Sequence, residues 1–137
     1  MYAQVAINRP VGGPFSYAIP AHLTGQVQVG SAVLVPFGRR GAETGYVVGF
    51  AESLDFDPSK VKPIQRLVDP EPVFDAEQLA FFEWVARYYL SPVGQVIATA
   101  LPSRLSARVL SVIEPTEAGV EALADGEVPE EDAIVLR

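Results

Sequence analysis

Two valine-rich segments joined by a short basic connection constrain the fold of this chain most strongly. Residues 31–36 and 45–50 are largely apolar, and Phe37, Gly38, Arg39 and Arg40 follow directly on the first of them. Valine-rich runs bounded by proline and glycine are typical of β-strands that pair as a hairpin. The chain therefore needs a sheet. The tip of this hairpin places two guanidinium groups beside a flexible glycine, a combination that suits phosphate.

Other segments of the first 68 residues also have the length and composition of strands. They are residues 3–7, 15–19 and 63–68, with a weaker candidate at 26–29. Turn-forming residues separate these segments at short spacing, which favours a small antiparallel barrel or sandwich. We therefore predict a small antiparallel β-barrel-like domain over residues 1–68.

The pattern becomes helical near residue 75. Asp75, followed by Gln78 three positions later, has the form of a capping box, and apolar residues then recur at helical spacing. Ser91 and Pro92 end this helix, and a second is predicted over 93–101. The predicted fold class is therefore α+β, with two helices within residues 75–101 that close over the sheet.

The first helix carries five aromatic side chains. Aromatic rings stack on bases, but at helical spacing they more often fill a core. The sequence favours the core for all five: Phe81, Phe82, Trp84, Tyr88 and Tyr89.

The last 30 or so residues differ from the rest in charge and organisation. The net charge of the chain is −7, but residues 1–113 carry nine basic and nine acidic side chains, so the excess lies in 114–137. Because screening limits the reach of a charge to about 10 Å, the body can still bind DNA through a local patch. We predict one domain over residues 1–105 and the start of another over 106–137. The chain stops inside the apolar run 134–136, which indicates a piece of a longer protein.

The residues supply no catalytic constellation. There is no cysteine, and His22 is the single histidine, so thiol chemistry, disulfides, histidine triads and multi-histidine metal sites have no partners here. Gly25 and Gly30 have the spacing of a phosphate loop, but Ser31 stands where its lysine is needed. No enzyme activity or cofactor is expected of this chain. With no signal peptide and no apolar run of about 18 residues, we expect a cytoplasmic protein without a membrane segment.

The residues alone leave the nature of the site open. Phe15 and Tyr17 lie on one face of their strand and Ser16 on the other, either as half-buried strand aromatics or as a pocket. Arg39 and Arg40 are either a solvated hairpin tip or phosphate ligands. A second basic stretch holds Lys60, Lys62 and Arg66, and two basic stretches on one small β domain make phosphate binding plausible.

Five ordered segments resemble the PriA family of primosomal replication-restart helicases. Pro14-Phe15-Ser16-Tyr17-Ala18-Ile19-Pro20 resembles the family's TFDYLLP strand, and Gly30 to Gly38 resembles its G-x-x-V-x-V-P-F-G segment. The remaining similar segments are Thr44 to Gly49, Lys62 to Pro72, and Trp84 to Val96, which resembles the signature WxAxYYxxPxGxV. Together they cover residues 4–102.

This resemblance implies the N-terminal 3′ DNA-binding domain, which holds the 3′ end of the nascent leading strand at a stalled replication fork. Residues 106–137 would begin a winged-helix domain. The full-length protein would be an ATP-dependent 3′–5′ DNA helicase, with ATP, magnesium and zinc bound outside this chain. Its expected partners are forked DNA with a 3′-hydroxyl end, single-strand binding protein and other primosome proteins. The resemblance also implies a monomer that is cytoplasmic and associated with the bacterial nucleoid.

The resemblance also assigns site residues by position. Phe15 and Tyr17 match the pocket aromatics, Gly38 the glycine that lets backbone approach the nucleotide, and Lys62 a basic contact, with Arg39 and Arg40 as supporting phosphate contacts.

The chain departs from the family pattern at Ser16. The family has aspartate there, associated with the terminal 3′-hydroxyl, and a carboxylate accepts from a hydroxyl but repels a phosphate. Serine carries no charge, so we predict weaker discrimination of the 3′ end. The alternative hypothesis, from another class, is a β-barrel protein-interaction module that docks other domains or primosome partners without contacting DNA.

Overall fold

The computed structural model describes residues 1–39 and 41–102, and this part of the chain contains five strands and two helices. The strands are β1 (Tyr2–Ile7), β2 (Phe15–Ala18), β3 (Ala32–Phe37), β4 (Gly41–Ala51) and β5 (Arg66–Leu67). The helices are α1 (Ala76–Tyr88) and α2 (Val93–Ala100), and two short 3₁₀ turns lie at Ala21–Leu23 and Pro58–Lys60. Arg40 and the predicted winged-helix start lie outside the described residues.

The strands form one antiparallel sheet in the order β2-β1-β4-β3-β5, and the α+β class is confirmed. The predicted hairpin is its centre. Val33 pairs with Gly45 and Phe37 with Gly41, so β4 begins four residues earlier than the valine-rich run predicts. This longer pairing leaves a short tip that includes Gly38 and Arg39.

The segment after the second 3₁₀ turn bonds first to β2 and then to β3. The Ala18 amide donates to the Lys62 carbonyl and the Ile64 amide to the Ala18 carbonyl, each at 3.0 Å, while the Gln65 amide donates to the Leu34 carbonyl at 2.9 Å. Because this segment divides its bonds between β2 and β3, and because Pro63 has no amide hydrogen, the predicted strand 63–68 shortens to Arg66–Leu67. Closure into a barrel stays a prediction.

The weak strand predicted at 26–29 is wrong. The amides of Gln26 and Val27 both donate to the Leu23 carbonyl, at 3.0 and 3.3 Å, so this stretch forms turns. Gly25 lies within these turns with a φ of +80°, a conformation that does not continue into a strand.

Each face of the sheet has its own core, because successive strand residues point to opposite sides. The first core, on one face, includes Ala3, Val5, Tyr17, Val33, Val35, Val47 and Ile64. On the other face, the second core unites Ala6, Ala32 and Tyr46 of the sheet with Phe74, Leu79, Phe82 and Ile97. The two helices therefore pack over the sheet, as predicted, and they do so on one face.

The capping box at the start of α1 is confirmed. The Gln78 amide donates to Asp75 Oδ1 at 2.8 Å, and the Asp75 amide donates to Gln78 Oε1 at 3.0 Å. These reciprocal bonds satisfy two of the amides that a helix start leaves without partners.

The prediction that all five α1 aromatics fill the core is wrong for four of them. Phe82 is 7% exposed and belongs to the second core with Leu79, but Trp84 is 53% exposed. At 3.6 residues per turn, Phe81, Trp84 and Tyr88 fall away from the buried stripe of the helix, and Tyr89 follows its last residue. The four exposed aromatic residues are called the α1 aromatic face: Phe81, Trp84, Tyr88 and Tyr89. Within this face, Trp84 stacks on Tyr88 with ring centroids 5.3 Å apart.

Candidate nucleic-acid interface

A cleft of about 330 Å³, called the β2 cleft, lies between β2, the end of β3 and the segment around the second 3₁₀ turn. It brings together five of the seven predicted site residues: Phe15, Ser16, Tyr17, Gly38 and Lys62. Its other lining residues are Pro14, Pro36, Phe37, Phe56, Lys60 and Val61. Segments up to 48 positions apart in the sequence therefore meet at one opening.

Aromatic rings form one wall of the β2 cleft. Phe15 meets Phe37 edge to face, with ring centroids 5.4 Å apart and planes at 65°. The pairing of Val5 with Phe15 and of Ala3 with Tyr17 puts both β2 aromatics on the face of the first core, as strand alternation predicts. Phe15 stays half-buried, so part of its ring remains available to a ligand.

Tyr17 has a different position from Phe15. Its side chain is 5% exposed, and its hydroxyl donates to the Pro36 carbonyl at 2.8 Å. Burial raises the pKa of the phenol above its usual value of 10.0. The sequence alone leaves open whether these aromatics are core or pocket residues. In the fold, Tyr17 is mainly a core residue that ties β2 to the end of β3.

We expect Tyr17→Phe to lower the free energy of unfolding by about 1 kcal/mol at pH 7, because the Pro36 carbonyl loses its partner. A raised folded-state pKa means that this stabilisation is complete below pH 10 and is lost as the pH rises through the folded-state value. The difference between wild type and variant, measured by urea unfolding at several pH values, should therefore shrink above about pH 10. A difference that stays constant would contradict this role.

Ser16 borders the β2 cleft, and its hydroxyl oxygen already accepts a hydrogen bond from another side chain. Gln4 lies directly opposite on β1, and its Nε2 donates to Ser16 Oγ at 2.9 Å. Both side chains are on the opposite face of the sheet from Phe15 and Tyr17, since neighbours on a strand alternate. Gln4 is thus a residue next to the site that no sequence motif indicated. Only the pairing register brings it to Ser16.

Gly38 lies at the hairpin tip, where the backbone meets the β2 cleft. Its φ is +72°, a left-handed conformation that favours glycine, and a β-carbon built there meets nothing within 4 Å. The open space at Gly38 agrees with its predicted use as a point of close approach. Arg39 is exposed in the same turn and is not one of the lining residues.

Two lysines supply the positive side of the β2 cleft. Lys60 ends the 3₁₀ turn Pro58–Lys60, which Asp57 caps by accepting from the Ser59 amide at 3.0 Å. This hydrogen bond lowers the pKa of the Asp57 carboxyl. Lys62 follows two residues later, and both lysines line the cleft.

Lys60 and Phe56 are cleft residues that the sequence prediction did not select. Lys60 belongs to the second basic stretch, and its spacing of two residues from Lys62 was the sequence signal that could have placed it in the site. Phe56 is half exposed in a loop between two aspartates, and nothing in its sequence context distinguishes it from a surface residue. Arg66 donates to the carbonyl of Leu67 and does not line the cleft.

The β2 cleft differs from a larger groove in the charge of its lining residues. The groove, of about 620 Å³, lies between α1 and α2 and is lined by Asn8, Phe81, Phe82, Val85, Tyr89, Ser91, Gln95, Val96, Thr99 and Ala100. None of these side chains is charged. The described lining of the β2 cleft has two lysines and no carboxylate, so it is the better place for an anionic ligand.

The described residues also limit other kinds of site. Among them, no three His, Cys, Asp or Glu side chains come together in a way that could hold a metal ion. Neither helix in the described part of the chain is long and apolar enough to cross a membrane.

The fold and the β2 cleft define a small α+β binding domain whose cleft suits an aromatic, negatively charged ligand. Residues 4–102 match the model of the PriA 3′ DNA-binding domain (3′BD). The chain belongs to this family, and the resemblance seen in the sequence is confirmed.

Similar proteins from several bacteria are all named replication restart protein PriA. The replication restart protein PriA of Treponema pallidum is 33% identical over 114 residues, and that of Bacillus subtilis is 32% identical over 110. The PriA of Synechocystis is 38% identical over 110 residues. These matches cover 80%, 78% and 78% of this chain but 17%, 14% and 13% of the respective relatives. The chain thus spans less than a fifth of their length.

Proposed function

We propose that this chain binds the 3′ end of a DNA strand as one module of a replication-restart protein, with the terminal nucleotide in the β2 cleft. The observation that carries the proposal is the composition of the cleft: half-exposed aromatic rings and two lysines with no carboxylate among the described lining residues. A nucleotide combines an aromatic base with a phosphate, so this lining complements both parts of it.

Each side of the β2 cleft has a role in this proposal. Phe15 and the exposed ring of Phe56 offer surfaces for the base or the sugar, and the backbone at Gly38 comes close to the nucleotide. The positive side formed by Lys60 and Lys62 meets the phosphate of the nucleotide. Stacking and phosphate contacts carry little sequence information, so recognition is independent of base identity.

Membership of the family supports a proposal for the setting of the module. Its ligand is the 3′ end of the nascent leading strand at a stalled fork, its protein partners are single-strand binding protein and other primosome proteins, and its location is the bacterial cytoplasm at the nucleoid. The longer protein is an ATP-dependent 3′–5′ helicase that uses ATP, magnesium and zinc outside this chain. Residues 106–137 begin its winged-helix domain, and the sheet of the present domain closes as a barrel.

A competition titration tests end binding directly. A 5′-fluorescein oligonucleotide of about twelve thymidines, within the usual site size of single-strand binders, is the probe, and fluorescence anisotropy at about 0.05 M salt is the readout. Unlabelled linear strands with 3′-hydroxyl ends should compete at least about tenfold better than circular single strands of equal nucleotide concentration. Equal competition would show that the chain does not hold an end.

The alternative, a protein-interaction module, has one observation in its favour. The α1 aromatic face is exposed and borders the uncharged groove, and both would contact another domain of the longer protein, since the matches span less than a fifth of each relative. Under the DNA-binding proposal, Trp84→Ala leaves affinity for a 3′-ended strand within about twofold, because Trp84 lies outside the β2 cleft. No measurable DNA binding by the wild type at low salt would favour the alternative.

A further inference from the structure

The β2 cleft has more positive charge than one hydroxyl-ended nucleotide requires. A cleft of about 330 Å³ is at the small end of ligand sites and fits a single nucleotide. Such a nucleotide brings one phosphate with it, the 5′-phosphate that joins it to the next residue. The cleft presents two ammonium groups, from Lys60 and Lys62, so one of them has no phosphate to meet.

The cleft also lacks the group that would exclude a second phosphate. An oligonucleotide with a 3′-phosphate brings roughly two further negative charges, and a nearby carboxylate would repel them. The described lining contains neither aspartate nor glutamate. Asp57, the nearest acidic residue in sequence to Lys60, caps the 3₁₀ turn through the Ser59 amide and is not a lining residue.

The remaining polar side chains at the cleft add no charge to it. Ser16 is a lining residue, and its Oγ accepts from Gln4 Nε2 on the face of the sheet opposite Phe15. The Tyr17 hydroxyl is bonded to the Pro36 carbonyl. Neither hydroxyl therefore repels a second phosphate, as a carboxylate would.

We propose that the β2 cleft binds strands that end in a 3′-phosphate more tightly than strands that end in a 3′-hydroxyl, with Lys60 as the residue that meets the additional phosphate. This inference rests on the proposed function, because it takes the cleft to be the site of the 3′ end. It names a second class of DNA end as ligand, one that carries phosphate where a growing strand carries hydroxyl.

The experiment compares two 5′-fluorescein oligothymidylates that differ only in a 3′-hydroxyl or 3′-phosphate, with circular single strands as competitor for both. At about 0.05 M salt, one additional neutralised phosphate corresponds to roughly eightfold tighter binding of the phosphate-ended strand. A preference for phosphate of at least about threefold supports the inference; a smaller ratio, or a preference for hydroxyl, overturns it. Failure of the proposed function is distinguishable, because circular strands would then compete as well as linear ones.

Single substitutions test whether Lys60 and Ser16 determine the preference for a 3′-phosphate. Lys60→Ala and the gentler Lys60→Gln should each bring the phosphate-to-hydroxyl ratio, measured within the same variant, close to one. Arg66→Gln is the matched control, since Arg66 is a basic residue of the same segment outside the cleft, and its ratio should equal that of wild type. Ser16→Asp introduces a carboxylate that Gln4 can still bond and should reverse the preference toward hydroxyl. A wild-type ratio in both Lys60 variants would overturn the assignment.

Discussion

Replacing Lys60 and Lys62 together with alanine should weaken binding of a 3′-phosphate-ended single strand about sixtyfold at 0.05 M salt. Both side chains line the β2 cleft, and no carboxylate of its described lining offsets them. Each phosphate contact with a single strand contributes about 0.7 to the slope of log affinity against log salt. Between 1 M and 0.05 M salt this amounts to roughly eightfold per lysine, so the slope should also fall by about 1.4 in the double variant.

The control for this prediction is Arg66→Ala. It removes a positive charge from the same part of the chain without touching the cleft lining, and it should change affinity by less than about twofold. Anisotropy titrations at four or five salt concentrations give both the affinity and the slope. A double variant with the wild-type slope would place the phosphate contacts elsewhere on the molecule.

Gly94→Ala should destabilise the fold far more than Tyr17→Phe does. Gly94 is in the first turn of α2, where the helix crosses the backbone of β1. A β-carbon built on Gly94 would lie 2.1 Å from the Ile7 carbonyl oxygen and 2.6 Å from its carbon, and these backbone atoms cannot rotate away. We expect the free energy of unfolding to fall by about 3 kcal/mol, the upper part of the range for overpacked sites.

Thermal and urea unfolding followed by circular dichroism measure this loss. For a domain of this size, about 3 kcal/mol corresponds to a melting temperature lower by roughly 10–20 °C. Gly49→Ala is the matched control, because a β-carbon there meets nothing within 4 Å, and it should stay within about 0.5 kcal/mol of wild type. Equal stability of the two variants would mean that α2 does not pack directly on the backbone of β1.

Local sequence patterns predicted the elements whose bonds are local. The β3–β4 hairpin follows from two valine-rich runs and a glycine between them, and the start of α1 follows from Asp75 and Gln78. The extent of the last strand could not be predicted in this way. Residues 62–67 bond first to β2 and then to β3, and that division depends on where distant strands lie.

Helical spacing alone could not separate core aromatics from surface aromatics. Phe81 and Phe82 are neighbours in sequence, but only Phe82 lies on the stripe of α1 that meets the sheet. Their aromatic character is equal, so a preference based on residue type assigns both to the core. The direction of α1 relative to the sheet decides between them.

The candidate site was predictable in part. Strand alternation placed Phe15 and Tyr17 on one face, and the family resemblance added Gly38 and Lys62. Neither indicated that Tyr17 is buried and bonded to Pro36 or that Gln4 holds Ser16, because these contacts depend on the pairing of separate strands. Arg39, which first suggested phosphate binding, lies beside the cleft and not in its lining.

The most direct test of the central claim is to locate DNA on the molecule by NMR. ¹⁵N-labelled protein is titrated with a short oligothymidylate that ends in a 3′-hydroxyl, and the shifts of backbone amides are followed. We expect the largest shifts on residues of the β2 cleft, above all Ser16, Gly38 and Lys62, while the amides of the α1–α2 groove, such as Gln95 and Thr99, stay in place. Shifts concentrated in the groove, with the β2 cleft unchanged, would contradict the proposed location of the DNA end.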